Sequence, residues 1–271
     1  MTLGGYALLS AGWVLLTLLG ACTSTTTTTS GTPGSDRMQR AAPEPADIER
    51  GMRARLELAG LYFGRGQTTT ALDEVQRVIA IRPDLAEAYS LRGLIYGSLG
   101  DLQLAEASFQ RALQLAPRDG ETMHNYGWFL CQQRRYPEAD TQFSAAVLQP
   151  QYRDVVRTLL AQGVCQARAG RWPEAERTLS RSYELDPGNP VTAYNLSDVL
   201  MRRGELERAR FYVGRINSQP DLTSAQSLWL AARIERRLGN VQAVQDFGRK
   251  LQERFPESNE VLLFEKGRFD D

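Results

Sequence analysis

The sequence predicts an all-α fold built from repeated helix–turn–helix units, and three observations support this. From residue 47 onward, apolar residues recur at helical spacing between short breaks that contain Gly or Pro. Prolines fall at positions 83, 117, 150, 187, 220 and 256, so they lie 33 to 37 residues apart. Small residues recur with the same period. A period near 34 residues indicates an array of about six similar units.

One frame aligns these units, with starts near residues 52, 86, 120, 156, 190 and 225. Position 8 is always Ala, Gly or Ser, which lets the two helices of a unit cross closely. Position 15, at the predicted turn, is Gly except in unit three, where it is Arg134. A large apolar residue at position 24 is expected to fill the space between neighbouring units. Position 20 is small and nearly invariant: Ala71, Ala105, Ala139, Ala175, Ala209 and Val244.

The N-terminal segment has a different character. Residues 1–21 carry no charged side chain and form an apolar run, which predicts a signal peptide. The run ends at Leu19-Gly20-Ala21-Cys22, which resembles the bacterial lipoprotein box. The resemblance implies that Cys22 is acylated and becomes the mature N-terminus, and that Thr23 directs sorting to the outer membrane. The alternative is a transmembrane anchor, which needs about 20 apolar residues.

The remaining chain divides into a tether and a repeat domain. Residues 22–46 comprise the lipidated Cys and a segment rich in Thr, Ser and Pro, which cannot build a core. A flexible chain of about 24 residues reaches about 25–30 Å. Residues 47–271 form the predicted repeat domain. Its tail, 257–271, contains the apolar group Val261 to Phe264 and is expected to cap the last unit.

The period and the repeated small residues resemble the tetratricopeptide repeat family over about residues 48–256. The resemblance implies a right-handed superhelix of about six repeats with a C-terminal capping helix. The first helices of such repeats line a concave groove. The residues that the frame places in this groove, and that we predict to contact a partner, are Leu56, Phe63, Leu94, His124, Asn125, Trp128, Tyr194 and Asn195.

Two of these residues, Asn125 and Asn195, occupy position 6 of their units. In peptide-binding members of the tetratricopeptide repeat family, an Asn at this position hydrogen-bonds the backbone of an extended ligand. A primary amide can both donate and accept, so it can hold a peptide unit of any sequence. The alternative is an Asn that faces solvent or caps the chain locally.

His124 and Cys131 lie seven residues apart on one face of a predicted helix. A zinc site needs three or four protein ligands, and two turns separate these side chains by about 10 Å along the axis. The sequence therefore predicts neither a metal site nor a nucleophilic pair. Cys131 and Cys165 fall on neighbouring helices, and an oxidising compartment would allow a disulfide. Their facing directions favour two free thiols instead.

The composition excludes several function classes. Lys plus Arg and Asp plus Glu balance at 32 each, so the basic footprint of a nucleic-acid-binding protein is missing. The sequence contains no Walker loop, dinucleotide fingerprint, nucleophile elbow or paired-Cys zinc signature. We predict a protein-binding module that is not an enzyme, with no small-molecule substrate and no cofactor besides the lipid on Cys22.

A narrower resemblance is carried by two segments, "NYGWFLCQQRRYPEA" at 125–139 and "RFPESNEVLLFEKGRF" at 254–269. With the lipoprotein box and the six units, they resemble type IV pilus biogenesis and stability proteins of the PilF/PilW type. This implies a pilotin, a periplasm-facing outer-membrane lipoprotein that binds secretin subunits and promotes their localisation and multimer assembly. The alternative is a repeat scaffold lipoprotein of the outer-membrane barrel-insertion or cell-wall synthase machinery.

Overall fold

The structure is a computed structural model that describes residues 45–269. These residues form thirteen α helices and no strand, so the predicted all-α superhelix is confirmed. In chain order the helices are α1 (Pro45–Gly64), α2 (Thr68–Ile81), α3 (Ala86–Leu99), α4 (Leu102–Leu115), α5 (Gly120–Gln132), α6 (Tyr136–Val147), α7 (Val155–Arg168), α8 (Trp172–Leu185), α9 (Pro190–Arg202), α10 (Leu206–Asn217), α11 (Ala225–Arg237), α12 (Val241–Arg254) and α13 (Asn259–Glu265).

Consecutive helices pack in pairs, and each pair is one repeat. The second helix of each repeat also contacts the first helix of the next repeat, from α2 on α3 to α10 on α11. The odd-numbered helices α1 to α11 are therefore the first helices of six stacked repeats. Helix α1 starts at Pro45, so two residues of the predicted tether are helical.

The pattern of small and large residues has a direct packing cause. A Cβ atom added at Gly127 would lie 2.9 Å from the ring of Phe143, so the aromatic side chain sits directly on the glycine of the same repeat. In repeat two, Phe109 packs in the same way on Gly93, and its ring centroid lies 5.4 Å from that of Tyr126 in repeat three. The residue at position 24 thus fills space within its repeat as well as between repeats.

The turn inside each repeat requires a left-handed residue. Five repeats place Gly there, as in Gly100 with a φ of 85°. Repeat three places Arg134 there instead, with a φ of 59°. This conformation brings Cβ close to the following carbonyl oxygen and costs a non-glycine residue about 1 kcal/mol.

The prediction of two free thiols is wrong. Cys131 of α5 and Cys165 of α7 form a disulfide, with their Cα atoms 5.9 Å apart. Both side chains are buried, at 2% and 1% exposure. Position 12 of repeat three and position 10 of repeat four were expected to face different directions. In the stack, α5 and α7 lie side by side and turn these two positions toward one another.

The C-terminal helix α13 covers the last repeat by packing on α11 and α12. Its Val261 is buried, and the ring of Phe264 lies over Gly248 of α12, where any Cβ would overlap it. Repeat six has Gly248 at position 24, where the other repeats have a large apolar residue, and this leaves room for the cap. Beyond α13, Phe269 is buried against Trp229, with ring centroids 4.9 Å apart.

The predicted signal peptide, Cys22 and nearly all of the tether lie outside the described residues. Within residues 45–269, none of the helices combines the length and the hydropathy needed to cross a membrane.

Candidate partner-binding groove

The first three repeats form a cleft of about 770 Å³, which we call the N-terminal cleft. It is lined by residues of α1, α3 and α5, the first helices of these repeats. Its apolar lining includes Leu56, Leu91 and Leu94, of which Leu91 and Leu94 remain partly exposed. Leu56 and Leu91 are held in place because they also pack in the core of the first two repeats. The cleft is open and can accept apolar side chains of another chain.

A smaller cleft of about 220 Å³ adjoins the N-terminal cleft at Leu94. Phe63, Trp128 and Phe129 line it, so it is aromatic. Trp128 lies partly exposed under the guanidinium group of Arg168, which is 5.0 Å from the ring centroid. Leu94 is thus the residue that both apolar surfaces share.

Carboxylates surround the apolar floor of the N-terminal cleft. Glu57, Glu87 and Glu121 all line it. Glu121 pairs with Arg157 at 2.6 Å, whereas Glu57 and Glu87 have no ion-pair partner among the described residues. The cleft therefore carries uncompensated negative charge beside its leucines.

A third cleft, of about 580 Å³, lies beside the N-terminal cleft and shares Asp119 and Glu121 with it. Tyr152 forms its wall and packs directly on Gly120, where a Cβ would lie 2.6 Å from the tyrosine ring. Sequence reasoning missed this site. The available signal was the two extra residues between repeats three and four, because an insertion places a side chain outside the repeat frame.

His124, predicted from the sequence as a partner contact, is buried and lines none of the three clefts. Its side chain is 8% exposed, and Nδ1 lies 2.8 Å from the Oγ1 of Thr158 in α7. The hydroxyl of Tyr152 is 2.6 Å from the same Oγ1. Burial lowers the pKa of His124 to about 4, with a further lowering by Arg157 that Asp154 opposes. The neutral imidazole therefore belongs to a polar network between repeats three and four.

The other predicted residues divide between the clefts and the interior. Leu56 borders the N-terminal cleft but is only 5% exposed, so it supports the floor more than it offers contact area. Phe63, Leu94 and Trp128 line the apolar surfaces and stay partly exposed. Asn125 lines the N-terminal cleft, and its Nδ2 lies 3.5 Å from Ser90 Oγ, a weak contact that leaves the amide free to pair with a ligand.

Tyr194 and Asn195 belong to repeat five and do not border the N-terminal cleft. The Nδ2 of Asn195 donates to the backbone oxygen of Val191, one turn earlier, at 2.8 Å. This local hydrogen bond is the alternative noted from the sequence. Tyr194 is half-buried, and burial raises the pKa of its hydroxyl, followed by the effect of Asp198.

The groove presents surfaces that can bind a ligand, and it has few side chains suited to catalysis or metal binding. Among residues 45–269 there is no group of three or more His, Cys, Asp or Glu side chains placed to hold a metal ion. The buried histidine is engaged in the network between repeats. What the groove presents is an apolar floor, a primary amide and a carboxylate rim, which suit a polypeptide ligand.

Comparison with known families identifies the repeats. Three family models, each described as tetratricopeptide repeat, match residues 58–125, 129–190 and 166–233. Together they span most of the region between α1 and α11. Tetratricopeptide repeats are scaffolds of protein-interaction modules, which agrees with the surfaces described above.

Comparison with individual proteins narrows the family. The type IV pilus assembly protein PilF of Pseudomonas aeruginosa is 25% identical over 212 residues, which cover 78% of this chain and 84% of that protein. The crystal structure of PilW, a widely conserved type IV pilus biogenesis factor, superposes with a TM-score of 0.71 at 30% identity, covering 78% of this chain and 96% of PilW. The structure of Pseudomonas aeruginosa PilF has the same fold, with a TM-score of 0.68 at 24% identity, over 81% of this chain and 99% of that chain. The chain therefore belongs to the tetratricopeptide repeat family and, within it, to the type IV pilus biogenesis proteins related to PilF and PilW.

Proposed function

We propose that this protein is a lipid-anchored pilotin of the outer membrane. It binds secretin subunits in the periplasm and promotes their outer-membrane localisation and multimer assembly during type IV pilus biogenesis. The observation that carries the proposal is the open apolar cleft on the first three repeats of a chain related to pilus biogenesis factors. A carrier of this kind needs a partner-binding surface, a tether and an anchor.

The partner-binding surface is the N-terminal cleft together with the aromatic cleft beside it. Leu94 and Trp128 provide apolar contact area, and the amide of Asn125 is placed to pair with a peptide unit. An extended segment of the secretin would lay its side chains against the leucines and the aromatic rings. Burying about 100 Å² of leucine surface on binding contributes about 2.5 kcal/mol.

The anchor and the tether come from the N-terminal sequence. Acylation of Cys22 supplies the membrane anchor, and two or more acyl chains make such anchoring stable. The disulfide between Cys131 and Cys165 supports a periplasmic location, because disulfides persist in oxidising compartments and are rare in the cytosol. An outer-membrane lipoprotein that faces the periplasm has both the lipid anchor and the oxidising surroundings.

Membrane fractionation of a strain carrying Cys22→Ser tests the anchor. The secretin is expected to remain outside the outer membrane and to form fewer multimers, because its carrier no longer follows the lipoprotein route. The matched control is Cys131→Ser/Cys165→Ser, which removes two cysteines but keeps the anchor and should leave the secretin in the outer membrane if the variant accumulates. Unchanged secretin location and unchanged pili in the Cys22→Ser strain would contradict the proposal.

A pull-down from detergent extract, read by mass spectrometry, separates this proposal from the alternative scaffold function. The proposal expects the secretin among the captured proteins. Capture of a barrel-insertion protein or a cell-wall synthase, without secretin, would favour the alternative.

A further inference from the structure

Arg233, in repeat six, carries a half-buried positive charge that lacks a carboxylate partner in the part of the chain that the structure describes. Arg233 of α11 donates from Nε to the backbone oxygen of Phe269 at 2.9 Å and forms no ion pair among the described residues. Burial lowers the pKa of Arg233; Asp198 acts against this, whereas the nearby guanidinium groups of Arg202 and Arg237 add to it. An arginine is seldom desolvated without a compensating anion.

Among residues 45–269, the surrounding groups do not balance this charge. Asp198 is already engaged by Arg202 at 2.8 Å, and Arg237 donates to the backbone oxygen of Met201 at 3.0 Å. A second carboxylate, Glu260 of α13, acts on the neighbouring Tyr194. Arg236 stacks on Phe269, with its guanidinium carbon 4.5 Å from the ring centroid. Among the described residues, the carboxylates that act on Tyr194 and Arg233 are Asp198 and Glu260, against the guanidinium groups of Arg202, Arg233 and Arg237.

The repeat frame places these groups on the face that bears the N-terminal cleft. Arg233 is the ninth residue of its repeat, as Leu94 and Trp128 are in repeats two and three. Both of those residues line the apolar clefts. Arg202 and Arg237 are the thirteenth residues of repeats five and six, the position of Gln132 in the aromatic cleft. The groove is thus acidic and apolar at its N-terminal end and basic at its C-terminal end.

The contacts of Phe269 show which kind of ligand this surface accepts. Its ring packs on Trp229 at 4.9 Å between centroids, its carbonyl oxygen accepts from Arg233, and Arg236 covers the ring. The chain's own tail therefore already presents a polypeptide carbonyl and an aromatic side chain to these groups. The Nη1 and Nη2 atoms of Arg233 have no hydrogen-bond partner among the described residues, and a planar guanidinium suits a bidentate carboxylate.

We propose that Tyr194, Arg202, Arg233 and Arg237, the arginine patch, bind the carboxylate side chains of an acidic segment of the partner polypeptide. A tyrosine hydroxyl is protonated near neutral pH, so the hydroxyl of Tyr194 can donate to the same carboxylate. Because the opposite end of the groove is acidic, a bound segment takes one direction, with its acidic part on repeats five and six. This inference deepens the proposed function, since it describes the chemistry of the partner.

Fluorescence anisotropy with the full chain tests the arginine patch. The probe is a labelled peptide of three Phe-Asp-Asp units, and the control probe replaces every Asp with Asn. At about 50 mM salt we expect the Asp peptide to bind at least ten-fold more tightly than the Asn peptide. Arg233→Gln and Arg237→Gln should each weaken the Asp peptide about ten-fold, and Arg233→Lys should weaken it less. Arg181→Gln, which changes an exposed arginine of α8, should have no effect.

Several outcomes would overturn the inference. Equal affinity for the two peptides, or no loss in both Gln variants, would show that the patch does not recognise carboxylates. Displacement of the peptide by inorganic phosphate at equal charge concentration, or binding to anionic vesicles that the Gln variants abolish, would assign the patch to simple anions or lipid. Tight binding only after Asp270→Asn/Asp271→Asn would assign it to the chain's own tail.

The same proteins distinguish this inference from the proposed function. Wild-type protein that captures the secretin but does not bind the Asp peptide refutes the arginine patch alone. Wild-type protein that binds the Asp peptide but captures no secretin refutes the pilotin function alone. Melting curves of each Gln variant, expected to match wild type within a few degrees, show whether a loss of binding reflects unfolding.

Discussion

The disulfide between α5 and α7 makes the most direct quantitative prediction about stability. Cys131 and Cys165 are separated by 34 residues, so the bond closes a loop of that length in the unfolded chain. The chain-entropy relation gives about 4 kcal/mol of stabilisation for such a loop. Replacing both cysteines with Ala leaves no buried polar group, because both sites are apolar and almost completely buried. We expect Cys131→Ala/Cys165→Ala to lower the free energy of unfolding by about 3–4 kcal/mol.

Urea unfolding followed by circular dichroism measures this change, in protein that carries Cys22→Ser to exclude thiol exchange. Reductant should lower the midpoint of the parent protein and leave that of the double-Ala variant unchanged. A thiol assay on the denatured parent protein should find no free cysteine. Two free thiols per chain, or identical midpoints with and without reductant, would refute the reasoning.

Three further predictions concern His124, the turn of repeat three and the helix crossings. Burial lowers the pKa of His124 from 6.5 to about 4, so its contribution to the free energy of unfolding is fully present above pH 6.5 and falls by about 3 kcal/mol as the pH drops toward 4. The free energy of unfolding of His124→Gln, measured between pH 7 and 4, should lack this decrease. An unchanged decrease in the variant would contradict the assignment. Arg134→Gly should raise the free energy of unfolding by about 1 kcal/mol in urea titration, because it relieves a φ of 59°; a decrease would argue against strain there. Gly163→Ala should destabilise the protein by about 1–3 kcal/mol, because its Cβ would lie 2.5 Å from Leu179 Cγ. Gly51→Ala should stabilise it by about 1 kcal/mol, because no atom lies within 4 Å of the added Cβ. Equal changes in melting temperature for the two variants would contradict the packing account.

The repeat architecture was predictable because its signals are local and recur. A small residue such as Gly127 and a large one such as Phe143 must meet wherever the two helices of a repeat cross, so these residue types recur with the period of the repeat. Helix α3 begins at Ala86, where the frame places the start of unit two. The exception at Arg134 was also visible, because the frame placed it where the other repeats have Gly.

The candidate site was less predictable because it depends on how repeats stack. A frame assigns position 5 to the groove, yet in repeat three that position is His124, which turns into the contact between α5 and α7. The same stacking brings Cys131 against Cys165. Tyr152 lies in an insertion, so no periodic pattern could place it on Gly120. The charge on Arg233 becomes unusual only once its burial and its neighbours are known.

The most direct test of the account is the affinity of the purified secretin for groove variants of this protein. Leu94 borders both apolar clefts, so Leu94→Gln removes apolar contact area at their junction. The matched control is Leu104→Gln in α4, which changes an exposed leucine that lines neither cleft. The account predicts that Leu94→Gln weakens secretin binding at least ten-fold, with helix content preserved, and that Leu104→Gln binds as wild type does. Equal affinity of both variants and the wild type would contradict it.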